Sequence, residues 1–237
     1  MPRCQRTFRW LTDSPIRTAA GAASWRCPHC AGRETYETVI EPDLLDYAAL
    51  AQAAAFRDFG VPEDSRRTTV LFWGLIPECI REPGARQYHV YLQSGSDGYQ
   101  ARLQIGHEMF HRTCSQGRIF HWTHEMLACL FSVRLLRQNG AEEYADQTER
   151  DYGQQAQQCS FRTLVTTDLI HGPFPPGLYG RAFRTGREWQ ERFGWQALCR
   201  LARTEGRNGA PDLAEWFSAV RGRTEMREHD PSFLNQN

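Results

Sequence analysis

The sequence predicts an α+β fold: a small N-terminal mixed sheet with one chemically marked helix, followed by a mainly helical half. Three observations carry this. β-branched and aromatic residues gather in short runs before residue 94. Beyond residue 98 the apolar positions recur at helical spacing, with helix stops such as Asn139-Gly140 between them. No internal repeat or low-complexity linker divides the chain, so one domain over 34–221 is expected, with an irregular segment 1–33 before it and a tail 222–237 after it.

The elements follow in order. "ETYETVI" (34–40) alternates and carries β-branched residues, which predicts a strand. Pro42 is placed for a helix start, the alanine-rich stretch after it sustains the helix, and Gly60 stops it. "TTVLFWGL" (68–75) is an apolar run suited to a buried strand. "QYHVYLQ" (87–93) is a further strand, taken as the sheet edge on which an extended peptide would pair. "SGSDG" (94–98) is a turn, and Asp97 is positioned to cap the helix that runs on toward Gly117. A second helix spans about 122–138 and ends at Asn139-Gly140. The polar segment 141–158 predicts a solvated helix and "HGPFPPG" (171–177) a loop, with helices over 179–193, 195–204 and 211–221.

Composition narrows the function. The chain has 237 residues, enough to bury a core without disulfides or structural metals. Its 28 basic residues, all arginine, balance 28 acidic ones, which gives no footprint for nucleic acid. No apolar run reaches the ~20 residues of a membrane span, and the N-terminus lacks the apolar region of a secretory signal. A cytoplasmic protein with mostly reduced cysteines is expected. "CPHC" places Cys27 and Cys30 as one knuckle; Cys4 could join them, but a fourth ligand is not evident, so a turn with free thiols is the expectation. Oligomeric state is not legible.

The motif with chemistry in it is "IGHEMFH" (105–111). On a helix, His107 and His111 share a face and can point at one ion. Each imidazole supplies one nitrogen, which suits zinc. Glu108 lies about 100° round the helix, within reach of a water on that ion, the place of a general base. Gly106 leaves room for close packing beside them. A third ligand is sought in "FHWTHEMLACLF" (120–131), where His121, His124 and Glu125 are candidates. Glu125 is favoured because its helix face continues through the small residues Ala128, Cys129 and Ser132, which let that helix lie close against the first. His121 reads otherwise as a helix cap and His124 as a core or supporting contact.

These motifs resemble the gluzincin zinc metallopeptidases, above all their aminopeptidase-like branch, in which H-E-x-x-H is followed by a helix beginning W-x-x-E-x-x-A. Here that second motif is Trp122, Glu125 and Ala128. The resemblance runs over roughly 100 residues, from Tyr99 to Leu201. It implies a zincin-like fold, one zinc per chain on His107, His111 and Glu125, Glu108 as general base, and a peptide or protein substrate. By the match of "GLYGRAF" (177–183), Tyr179 would be the transition-state tyrosine, with His171 and Tyr144 in reserve. The link from His111 to Glu125 is shorter than in the aminopeptidases, and no counterpart of their glycine-rich, acidic amino-terminus motif is found. A metzincin site would need glycine and histidine where Cys114 and Gly117 stand. The competing expectation is a zincin-like domain kept for binding or regulation, with metal but little turnover.

Overall fold

The computed structural model describes residues 7–11, 25–26, 33–34, 42–60, 68–74, 77–81, 87–93, 95–114, 121–169, 174–203 and 212–221. Cys4, Cys27, Cys30, His171, the tail 222–237 and most of the expected strand 34–40 lie outside them. The described residues are mostly helical with a small sheet, an α+β architecture. Its strands are β1 (Thr7–Leu11), β2 (Trp25–Arg26), β3 (Arg33–Glu34), β4 (Thr68–Gly74), β5 (Glu78–Arg81) and β6 (Gln87–Gln93). Its helices are α1 (Pro42–Phe59), α2 (Gly98–Cys114), α3 (Trp122–Gln138), α4 (Glu142–Gln155), α5 (Phe161–Thr166), α6 (Leu178–Phe193), α7 (Trp195–Leu201) and α8 (Leu213–Arg221). Among the described residues no helix is long and apolar enough to cross a membrane.

The main sheet has the order β1-β4-β6-β5, with β4 and β6 parallel and the outer strands antiparallel to their neighbours. β2 and β3 form a separate two-stranded antiparallel pair. Two sequence expectations are corrected here. The segment 1–33, read as irregular, supplies β1 to the sheet. The strand 87–93, read as an edge, lies between β4 and β5, so among the described residues the outermost strand on that side is β5. The sequence agrees with the second correction: His89, Val90, Tyr91 and Leu92 are all buried, so both faces of β6 are covered, as in an interior strand. β5 is short and carries Glu78 and Arg81 at its ends, features that suit an edge.

Helix α1 buries Leu44, Ala48, Ala51, Ala55 and Phe59, a stripe at helical spacing. Its alanines let α2 pack closely against it. Asp97 caps α2 as expected, accepting from the Gln100 amide at 2.7 Å. The decisive packing is α2 on α3. A Cβ on Gly106 would lie 2.9 Å from Ser132 Cα, so only glycine permits this approach. α3 spans Trp122–Gln138, the expected range, and its small face meets α2 as the sequence suggested. Helix α6 then lies across α3 and α4. A Cβ on Gly180 would lie 2.5 Å from the Tyr152 carbonyl oxygen, so the first turn of α6 is seated on the last turn of α4. Arg181 fastens this junction through Nε to the Cys159 carbonyl (2.6 Å) and an NH2 group to the Ala156 carbonyl (2.8 Å).

Candidate metal centre

The α2–α3 contact brings His107, His111 and Glu125 together as a donor set able to hold a metal ion. His107 and His111 lie one turn apart on α2, and Glu125 enters from the first turn of α3. With one donor atom taken from each residue, the three donors lie within 4.8 Å of one another. His107 Nε2 and His111 Nε2 are 3.0 Å apart, and they lie 3.2 and 3.3 Å from the two Glu125 oxygens. A tetrahedral ion with bonds of ~2.0–2.1 Å asks for donor–donor edges of about 3.3 Å.

Two further observations test the fit. A proton on each Nε2 would set two N–H groups against each other at 3.0 Å, whereas a shared cation satisfies both lone pairs. Glu125 Oε2 is buried and, among the described residues, makes no hydrogen bond of acceptable angle, although His107 lies within ion-pair distance. The residues present therefore fit a metal ion.

Electrostatics reinforce the site. Burial would raise the Glu125 pKa, but the nearby His111 and His107 outweigh it electrostatically and hold the carboxyl well below the usual range. Burial would lower the His107 pKa, but the Cys129 sulfur and the Glu125 carboxylate beside the ring outweigh it and hold the ring well above the ordinary imidazole range. Cys129 Sγ lies 3.9 Å from His107 Nδ1, which occupies that nitrogen and leaves Nε2 to face the ion.

Glu108 is 4 % exposed, and burial raises its pKa; the two histidines oppose that rise, while Glu125 and Glu78 add to it. It faces a cleft of about 250 Å³ whose floor also includes His107 and Leu103. Tyr179 lines the same cleft, its ring edge-on to His107 at 5.8 Å between centroids. Burial, and then the nearby Glu125, raise its pKa and keep the phenol protonated.

The other sequence candidates fall elsewhere. His121 caps α3, accepting from the Thr123 amide at 3.3 Å. His124 is fully buried beside Phe110 and is not one of the converging donors. Tyr144 is set back from the cleft: its hydroxyl donates to Gln100 Oε1 at 2.6 Å and its ring stacks on Tyr99.

Tyr152 is the residue sequence reasoning missed. It lines the cleft opposite α2 and hydrogen-bonds to Cys129, one step from His107. A signal was present. Ala145, Thr148 and Ala156 form a buried stripe at helical spacing, and Tyr152 falls on it. Comparison with family models, curated proteins and solved structures finds no match to this chain.

Proposed function

We propose that the chain is a zinc-dependent peptidase of zincin-like fold, with one zinc on His107, His111 and Glu125 and Glu108 as general base. The observation that carries the reading is the convergence of two imidazole nitrogens 3.0 Å apart on a buried carboxylate, one oxygen at 3.2 or 3.3 Å from each, with an open cleft beside them. Two imidazoles and one carboxylate favour zinc over magnesium or calcium, which prefer all-oxygen sets. Three protein ligands leave a fourth position for water, the mark of catalytic rather than structural sites.

A zinc ion held there supplies Lewis-acid polarisation of the water and of the scissile carbonyl. Hydrolysis forms a C–O bond, breaks the C–N bond and moves one proton from water to the departing amine. Glu108 carries that proton, and its raised proton affinity suits it to hold the proton between the two steps. Tyr179, kept protonated by burial, donates a hydrogen bond to the developing oxyanion. Among the described residues β5 is the outermost strand on the cleft side, with Pro77 just before it in the cleft wall, and it offers backbone groups to an extended substrate.

The test is metal analysis of untagged protein, followed by cleavage of a broad quenched-fluorescence peptide library. One zinc per chain and zinc-dependent cleavage are expected, with Glu108→Gln keeping the metal and losing most of the turnover. A fully zinc-loaded protein that cleaves no peptide refutes the enzyme reading and leaves a binding or regulatory domain.

A further inference from the structure

We propose that the cleft receives an internal, uncharged stretch of polypeptide, so that cleavage is endoproteolytic; this rests on the peptidase reading above. The argument starts from what the walls offer. Beside the catalytic groups they present four glutamine side chains: Gln93, Gln100, Gln104 and Gln155. Gln104 is fixed in place, accepting from the Gln93 amide at 2.9 Å and donating to Ser96 Oγ at 3.2 Å. Gln100 uses its oxygen on Tyr144, and its amide NH2 remains a donor. Gln155 stands on the opposite wall, at the end of α4.

A carboxamide offers one acceptor and two donors without charge, which matches the C=O and N–H groups of a neutral backbone. Among the described lining residues the only carboxylate is Glu108, which the chemistry needs for the proton, and none is an arginine. Apart from the groups committed to the reaction itself, a terminal ammonium or carboxylate entering these walls would shed water without meeting a counter-charge, which costs more than burying a neutral amide.

The mouth supports the same reading. Tyr99 and Phe174, 47 % and 45 % exposed, are two of the four large apolar residues most open to solvent among those described. Tyr99 stacks on Tyr144, the partner of Gln100, and Phe174 packs against Tyr179, so each stands next to a wall residue. These exposed aromatic surfaces, one beside Gln100 and one against Tyr179, give holds for the side chains of a bound chain. That arrangement serves a chain passing through rather than a chain end.

The experiment compares one susceptible peptide in three forms with zinc-loaded protein: both ends capped by acetyl and amide groups, amino end free, and carboxyl end free. Cut positions are read by mass spectrometry. The capped form should be cut at an interior bond with kcat/KM within about threefold of the others. Gln155→Leu should raise KM for the capped peptide roughly fivefold, the worth of one hydrogen bond, at unchanged zinc content. A tenfold or greater preference for a free end, or stepwise release of single residues, overturns the proposal while the peptidase reading stands. Glu78→Gln identifies the source of such a preference, since Glu78 on β5 is close enough to influence Glu108. If zinc-loaded protein cuts none of the forms nor any library peptide, the peptidase reading fails and this proposal with it.

Discussion

The close approach of α2 to α3 is open to a one-atom test. Gly106→Ala adds a Cβ that would sit 2.9 Å from Ser132 Cα and 3.1 Å from Ser132 Cβ. Relaxed carbon contacts lie near ~3.5–4.0 Å, so the helices must part by roughly 0.7 Å. Alanine gains about 1 kcal/mol over glycine in helix propensity. Overpacking against backbone costs about 1–3 kcal/mol, so the net expectation is a loss of roughly 1 kcal/mol. The larger effect should fall on the metal. Glu125 rides on α3, so parting the helices lengthens the 3.2 and 3.3 Å separations between its two oxygens and the histidine nitrogens. A loss of zinc affinity of about 10–100-fold is expected, the range seen when supporting contacts of a metal site are disturbed. Gly153→Ala is the control, because a Cβ there meets nothing within 4 Å. It should gain up to about 1 kcal/mol and leave zinc unaffected. The assays are urea denaturation of chelator-treated protein and zinc competition against a chromogenic chelator. If Gly106→Ala matches Gly153→Ala in both, the two helices are not held at the spacing that builds the site.

The remaining expectations concern single side chains. Glu125→Ala removes one of three ligands and should weaken zinc binding by more than roughly a hundredfold, read by the same competition; retention of full affinity would reassign the ligand. Tyr179→Phe should lower kcat by roughly a hundredfold with KM and zinc content nearly unchanged. A fall in Tyr152→Phe instead would move the oxyanion role across the cleft, and Tyr144→Phe should be close to wild type. His121 gives a pH signature. Burial pushes its pKa down to about 4, below the ~6.5 of an unfolded chain, so its contribution is complete above ~6.5 and is lost as pH falls toward 4. The ring is partly exposed, which limits the loss to about 1–2 kcal/mol. His121→Asn keeps a capping oxygen and should flatten that slope in denaturation midpoints from pH 7 to 5. An unchanged slope would remove His121 as its source.

Much of the site could be read from sequence because it depends on helical periodicity. His107 and His111 need only one turn between them, and the small face of α3 announces a close neighbour. The ranges of α1, α3 and β6 were legible because Pro42, Asn139-Gly140 and the run "QYHVYLQ" are strong local signals. What escaped was set by tertiary pairing. β5 is four residues long, and nothing local says that it pairs with β6. β6 was read as an edge although its near-continuous apolar and aromatic run already described a strand covered on both faces. α5 was missed because "FRTLVT" is β-branched and its start rests on one capping contact, the Thr163 amide on Ser160 Oγ at 3.0 Å. Tyr152 was hidden by the surrounding Glu and Gln residues, which made α4 look solvated all round.

The Tyr144–Gln100 hydrogen bond and the Tyr99–Tyr144 stack act as a latch between α2 and α4, the helices that form opposing walls. Gln100 precedes His107 by seven residues on α2, so at ~1.5 Å per residue the latch stands about 10 Å from His107, the first histidine of the candidate metal centre. On the proposed peptidase reading, an extended peptide, advancing ~3.3 Å per residue, would set about three residues between the bond to be cut and the latch. On that side the cleft would work as a ruler, and Tyr144→Phe would let the ruler slip while leaving the chemistry at the bond itself unchanged.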